Sequence, residues 1–278
     1  MASLKELIRG IKVISFAGDP EKPVSSITFD SRQVSGGSLF IAVRGSKNDG
    51  HDYISSAVSS GASAIICEKL PDKTDPRISW ILTDDSALAL GIVASNYYKN
   101  PSSSLKLVGV TGTNGKTTIA TLLYKTFSGL GYKCGLFSTV CNYVIDRELP
   151  ATHTTPDPVQ LNRVMSEMVS AGCDYAFMEV SSHAVDQQRI AGLRFAGGIF
   201  TNLTHDHLDY HKTFDRYLAA KKMFFDQLPE NAFALVNTDD RNGKVMLQNC
   251  KARPFTFSVR GPADFRCGII EQTLTGWD

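Results

Sequence analysis

The sharpest change in the hydrophobic and polar pattern lies between Leu105 and Thr118, LKLVGVTGTNGKTT. An apolar, β-branched run (Leu105, Leu107, Val108, Val110) suits a strand buried on both faces. It gives way to a glycine turn, Thr111 to Gly115, and then to a helical period from Lys116 to about Leu130. Upstream, strands are predicted at Pro23–Phe29, Leu39–Val43, Ala64–Cys67 and Ser79–Leu82. Helical periods are read at Ser3–Arg9, at Asp52–Ser60 and at Ser86–Tyr98, the last with Ser86 as its N-cap. Downstream, strands at Gly135–Thr139, Tyr175–Val180, Gly198–Thr201 and Ala234–Val236 alternate with helices that run from Pro156-Asp157-Pro158 to Ser170 and from Phe214 to Leu228. This alternation predicts an α/β fold, with a small N-terminal α/β domain followed by a doubly wound, mostly parallel sheet carrying helices on both faces. Pro and Ser cluster at Lys99–Ser104, where the periodicity stops, so the domains are placed at residues 1–103 and 104–278.

Composition narrows the class. With 42% hydrophobic and 21% charged residues, 278 residues suffice for a sizeable core. A net charge of +1 gives no global reason to bind nucleic acid or an anionic membrane. No basic, apolar leader is read and no apolar run reaches the ~18 residues of a membrane span. Six cysteines without a C-x-x-C pair are read as reduced and structural, which favours the cytoplasm; a monomer is expected.

Strand, glycine turn and helix N-terminus together make a place to hold phosphate, because backbone N–H groups converge there and the helix end is partly positive. Gly112, Thr113, Asn114, Gly115, Lys116, Thr117 and Thr118 are the candidate ATP-binding residues, with Lys116 reaching the outer phosphates and the Thr117 hydroxyl ligating magnesium. The usual G-x-x-x-x-G-K-[ST] spacing fails by one place, since position 110 is Val and Gly109 comes too early. A chance glycine-rich turn is the plain alternative, and the flanking strand and helix weigh against it. Ligands of such sheets sit beyond the carboxyl ends of the strands. Glu179, in Glu179-Val180-Ser181-Ser182-His183, is therefore a candidate to hold magnesium or orient water, against the plain reading of a cap or salt bridge. His205, Asp206, His207, Asp209 and His211 form a second polar cluster. His205, His207 and Asp209 also fit the H-x-H-x-D run of zinc-dependent hydrolases, a rival that leaves the phosphate loop unexplained and meets Tyr210 where histidine is expected.

TGTNGKTT, MEVSSHA, NLTHDHLDYH and Tyr217-Leu218-Ala219-Ala220-Lys221 occur in the order found in the Mur ligases. FDSRQV, LFIAVRG and DGHDYISSAVSSGA resemble those members that add the third amino acid to a UDP-N-acetylmuramoyl-dipeptide, and the resemblance covers nearly the whole chain. Folylpolyglutamate synthase is a more remote relative, whose substrate lacks UDP and whose start lacks DSR. The resemblance implies an ATP-dependent ligase of peptidoglycan precursor synthesis. It phosphorylates the carboxylate of UDP-N-acetylmuramoyl-L-alanyl-D-glutamate to an acyl phosphate, which an amino acid then displaces; diaminopimelate is the default and L-lysine the alternative. Like charges about 4 Å apart repel by roughly 4 kcal/mol at an effective dielectric near 20, so the phosphoryl step needs cations.

The same resemblance implies Mg2+ held by Thr117, Glu179 and His207, and a Lys221 that reacts with CO2 to give a carbamate joining the second magnesium. Lys116, Glu179, His207 and Lys221 are thus the implied catalytic set; read alone, Lys221 and Lys222 suit surface lysines on a helix. Phe29, Ser31, Ser46, Lys47 and Asn48 match contacts to the UDP end. Thr154, Thr155, Ser181, Gln187 and Arg189 match further substrate contacts; the planar fork of Arg189 suits phosphate or carboxylate, an ordinary surface arginine being the alternative. His153 departs from the family pattern, which has Asn in some relatives, and Phe224 and Phe225 read as core. In the family the central domain continues further and a third domain, which binds the incoming amino acid, follows it. The chain is accordingly read as truncated, which leaves a second expectation: binding of ATP and UDP-precursor without ligation.

Overall fold

The computed structural model describes residues 2–45, 48–151, 153–204, 208–268, 272–273 and 276–277, with the backbone alone at 208–209 and beyond 268. Its contacts divide the chain into two units. The first holds Met1–Pro101, Asp157–Ser166 and Gln187–Leu193; the second holds Ser102–Pro156, Glu167–Asp186 and Arg194–Asp278.

The first unit opens with a two-residue strand, β1 (Ala2–Ser3), and a short helix, α1 (Leu4–Leu7), capped reciprocally by Ser3 and Glu6. β1 pairs with β3 (Pro23–Val24), and between them lies β2 (Val13–Ala17). β2, β4 (Ser26–Thr28), β5 (Ser38–Ile41), β6 (Ala64–Cys67) and β7 (Ser79–Thr83) form a sheet in the order β2-β7-β6-β5-β4, parallel except for the β2 edge. The strand predicted over Pro23–Phe29 is thus two short strands, and β2, exposed along most of its length, has no counterpart in the sequence reading. Alternation sends Leu39 and Ile41 to one face, against α1 and α3 (Ser86–Tyr97), and Phe40 to the other, against α2 (Ile54–Ser59). The cap of α3 is Asp85, which accepts from the Leu88 N–H at 2.8 Å, and not Ser86. Ser86 is drawn elsewhere: its N–H and hydroxyl both bond the Glu68 carboxylate.

In the second unit, β8 (Lys106–Thr111) leads into α4 (Lys116–Gly129), followed by β9 (Cys134–Phe137) and a hairpin of β10 (Cys141–Val144) and β11 (Arg147–Pro150). α5 (Pro158–Ser170) begins in the first unit and ends in the second. Then come β12 (Tyr175–Glu179), α6 (Ser182–Asp186), β13 (Gly197–Phe200), α7 (Leu208–His211), α8 (Phe214–Asp226), β14 (Phe233–Asn237), α9 (Gly243–Leu247), β15 (Arg253–Ser258) and β16 (Phe265–Arg266). Among the described residues the sheet order is β11-β10-β9-β12-β8-β13-β14-β15-β16, parallel from β9 to β16 and antiparallel in the hairpin. Chain order reverses about β8, which makes the sheet doubly wound and puts the carboxyl ends of β8, β12 and β13 side by side.

α4 covers one face through Ala120 and Tyr124, against Val108, Val110 and Phe177. The other face is built round Phe224 of α8. Gly109 and Gly198 are register partners, and a Cβ on either would come within 2.9 Å of the Phe224 ring. Gly109 therefore serves packing: it is the bare spot on which an aromatic ring rests. Phe224 and Phe225 are core, as read.

Candidate active site

The turn after β8 is shaped by close approach. A Cβ on Gly112 would lie 1.9 Å from Thr201 Oγ1, and Gly115 has φ +85°, a conformation that costs most side chains energy. Ile119 is the first N–H to bond back along α4, to the Gly115 carbonyl at 2.9 Å. Helix geometry leaves the N–H groups ahead of it without intrahelical acceptors, at the positive end of a 14-residue helix. Lys116 folds over this turn, donating to the carbonyls of Gly112 (2.9 Å) and Thr113 (2.8 Å). Thr111 Oγ1, at the root of the turn, is buried with no hydrogen-bond partner.

Glu179 ends β12 beside Val110 of β8 and is fully buried. Its Oε2 accepts from the Thr117 hydroxyl at 2.9 Å and its Oε1 from the Thr139 N–H at 2.7 Å. Thr139 Oγ1 lies 3.2 Å from Glu179 Oε2 and 3.1 Å from Thr154 Oγ1. Among the described residues the carboxylate is therefore neither a helix cap nor half of a salt bridge; it is an acceptor facing two hydroxyls at the edge of the glycine turn. Thr139 reads in the sequence only as the end of a predicted strand; it stands two residues past the end of β9, the kind of place that selected Glu179.

Thr155 is buried, donates to the Glu179 carbonyl (2.9 Å) and accepts from the Ser181 N–H (3.2 Å). Thr154, Thr155 and Ser181 thus share one sheet edge with Glu179. Lys221 is 1% exposed, which removes the surface-lysine reading; its Nζ donates to the Gly112 carbonyl at 2.8 Å and stands 4.7 Å from the centre of the Tyr217 ring. The neighbouring Lys222 bonds Asp226 instead. Tyr217 is itself buried, with its hydroxyl 3.1 Å from Thr113 Oγ1. His207 lies outside the described residues, as do His205 and Asp206, and nothing is said of the Asp209 side chain. Among the described residues no group of three or more His, Cys, Asp or Glu side chains is placed to hold a metal.

In the first unit, Phe29 follows β4 and is 39% exposed. Ser31 opens a short 3-10 turn capped by Asp30, whose carboxyl is held below its ordinary range by the Arg32 side chain and N–H. Ser46 and Lys47 lie outside the described residues. Asn48 is exposed; its carbonyl accepts from the Gly45 N–H at 2.9 Å, closing the tip of a loop whose base is the Arg44–Asp49 bridge. Asp49 is pulled down to about 2, chiefly by the His51 N–H, then by the His51 ring at 2.6 Å and by Arg44. Since His51 Nε2 accepts from the Glu68 N–H, the proton shared with Asp49 sits on Nδ1. Arg189 is held by Gln187, donating through Nε (3.0 Å) and Nη2 (2.7 Å) to one amide oxygen.

The Mur ligase middle domain family model matches residues 110–277, and the model described as Mur ligase family, catalytic domain, matches residues 23–100. The UDP-N-acetylmuramoyl-L-alanyl-D-glutamate--2,6-diaminopimelate ligase of Cytophaga hutchinsonii is 55% identical over 274 residues, which are 98% of this chain and 56% of that protein. The chain thus spans little more than half the length of this relative. A solved structure of a UDP-N-acetylmuramoyl-L-alanyl-D-glutamate--2,6-diaminopimelate ligase superposes with a TM-score of 0.84 at 26% identity, covering 99% of this chain and 56% of that one. A MurF ligase from Thermotoga maritima, in complex with ADP, matches at 25% identity with a TM-score of 0.56, over 86% of this chain and 51% of that one. The match to the middle-domain model alone takes in more than half of the sequence, and the chain belongs to the Mur ligase family.

Proposed function

We propose that this chain carries the nucleotide-handling and precursor-recognising parts of an ATP-dependent ligase that joins diaminopimelate to UDP-N-acetylmuramoyl-L-alanyl-D-glutamate. The observation that carries the reading is the buried Glu179 carboxylate facing the Thr117 and Thr139 hydroxyls beside the glycine turn. Hydroxyl and carboxylate oxygens are the donors a hard divalent cation prefers, so Thr117, Thr139 and Glu179 fit Mg2+. When bound, that ion neutralises charge between the nucleotide phosphates and the acceptor carboxylate.

The N–H groups at the start of α4 bind the phosphates, and Lys116 exchanges its two carbonyl acceptors for phosphate oxygens. Thr154, Thr155 and Ser181 offer hydroxyls to the precursor, and Arg189 a planar fork for its anionic groups. Phe29, Ser31 and the 46–48 loop recognise the UDP end. The amine of Lys221, once it has given up its proton, would add CO2 with loss of a second proton to form a carbamate whose oxygens would help hold the cation. The described residues are expected to bind both ligands.

Titration of the chain with Mg-ATP, Mg-ADP and UDP-N-acetylmuramoyl-dipeptide tests the reading. Saturable binding of nucleotide that requires Mg2+ and is lost in Lys116→Ala is the expected result. Nucleotide binding that is absent, or indifferent to Lys116, would overturn it.

A further inference from the structure

The register of β8 and β13 ends at Thr111 and Phe200, yet the two chain segments stay together for four residues more. The Thr113 N–H donates to the Asn202 carbonyl at 2.8 Å. The Asn114 N–H donates to Asn202 Oδ1 at 3.0 Å, and Asn202 Nδ2 donates back to the Asn114 carbonyl at 3.2 Å. Thr201 Oγ1 donates to the same carbonyl at 2.7 Å, and the Thr204 N–H donates to Thr113 Oγ1 at 3.0 Å. The Thr201–Thr204 segment is anchored in turn from β14 and beyond: Asn237 donates to the Thr201 carbonyl (2.9 Å), and Asp240 accepts from the Leu203 N–H (2.6 Å).

We propose that Asn202 is a positioning residue for the phosphate loop, its side-chain amide splinting Asn114 so that the donors offered to phosphate are those of the helix start. This rests on the nucleotide reading above and deepens it. A loop bounded by Gly112 and Gly115 has much backbone freedom to lose on binding. An amide carries one acceptor and two donors, so Asn202 satisfies both backbone groups of Asn114 at once, as a neighbouring strand would. Fixing the loop before the ligand arrives removes that ordering cost from the binding free energy. Asn202 brings no charge and needs no contact with phosphate; its effect comes through geometry.

The experiment is nucleotide titration of wild type, Asn202→Ala and a core variant chosen to lower the melting temperature equally, Phe137→Leu. Amide hydrogen exchange of Asn114 without nucleotide is followed in parallel. In wild type the Asn114 amide should exchange slowly before any nucleotide is added. Asn202→Ala should speed that exchange and weaken Mg-ADP and Mg-ATP by about ten-fold, the worth of one or two hydrogen bonds. Phe137→Leu should leave both unchanged. Equal affinity loss in the two variants, or none in Asn202→Ala, would overturn the proposal. So would fast Asn114 exchange in wild type, a measurement that stands even where Asn202→Ala fails to fold. Wild type that binds no nucleotide would sink the nucleotide reading instead, and leaves the exchange result to judge the splint.

Discussion

Glu179 and Lys221 are 0% and 1% exposed, whereas Phe29 is 39% exposed and Asn48 sits on an exposed loop tip. In the second unit Thr117 bonds Glu179, and Lys116 and Lys221 bond the backbone of a single turn. Ser31 and Asn48 of the first unit ride on loops that other residues hold: Asp30 caps the turn of Ser31, and Asp49 with His51 closes the loop that carries Asn48. On the function proposed above, the contrast follows from what each region would handle. Phosphoryl chemistry gathers charge, and buried, preorganised groups act on charge far more strongly than exposed ones. Recognition of a large nucleotide-sugar is a matter of shape and hydrogen bonds over a surface, which loops on a fixed scaffold supply.

The largest effect that tests this contrast is expected at Lys116. Lys116→Ala removes a side chain that bonds the Gly112 and Thr113 carbonyls across the turn, and should weaken Mg-ATP by about 100-fold or more, read by calorimetric titration. A loss of only a few-fold would mean that the turn is not organised around phosphate. Next comes Glu179→Gln, which keeps the shape of the side chain and cancels its charge. The Mg2+ dependence of nucleotide binding should fall by roughly 10- to 100-fold, while binding measured in chelator stays as it was. A variant as Mg2+-dependent as wild type would remove Glu179 from the cation site. Below these stands Gly109→Ala, which adds a Cβ 2.6 Å from the Phe224 ring and 2.9 Å from Val180. Overpacking of this kind costs about 1–3 kcal/mol, read by urea unfolding, and a neutral result would show that the sheet beneath the turn has slack.

The sequence makes the second region more legible than the first, for the same physical reason. β8 and α4 announce themselves because a strand buried on both faces must be apolar throughout, and the turn after it must be glycine-rich. Glu179 and Lys116 follow from their place at strand and helix ends. Thr139 stayed hidden because hydroxyl residues are common in turns and nothing in their spacing marks one that faces a carboxylate. Asn202 stayed hidden because its role depends on lying beside Asn114, 88 residues away in sequence. The β10–β11 hairpin was missed because Ile145, a β-branched residue, takes φ +54° at its turn, where glycine or asparagine would have been the signal. β2 was missed since Val13 and Ile14 are both exposed, so it lacks the one-sided alternation that marks a half-buried strand. Ser86 was mistaken for a cap because Asp85 and Ser86 are both good capping residues, and the contact that separates them, Glu68, lies 18 positions away.

The smallest expected effect belongs to the first unit and turns on Asp49. Its carboxyl titrates at about 2 in the folded chain, held down first by the His51 N–H, then by the His51 ring and Arg44, against about 3.9 for an aspartate in an unfolded chain. A depressed carboxyl stabilises the fold fully above the unfolded value, because the unfolded chain is the better proton binder below it. That contribution is therefore present above about pH 4 and is lost as the pH falls towards 2. Asp49→Asn deletes the titration, so the melting temperature of the variant should fall less steeply than that of wild type between those limits. The Asp49 side chain is one-third exposed, so salt should shrink the difference, as it would not for a buried group such as Glu179. Parallel curves for the two proteins, or a difference indifferent to salt, would show that the loop base is not held by this carboxylate and that the two regions are less unlike than their burial makes them.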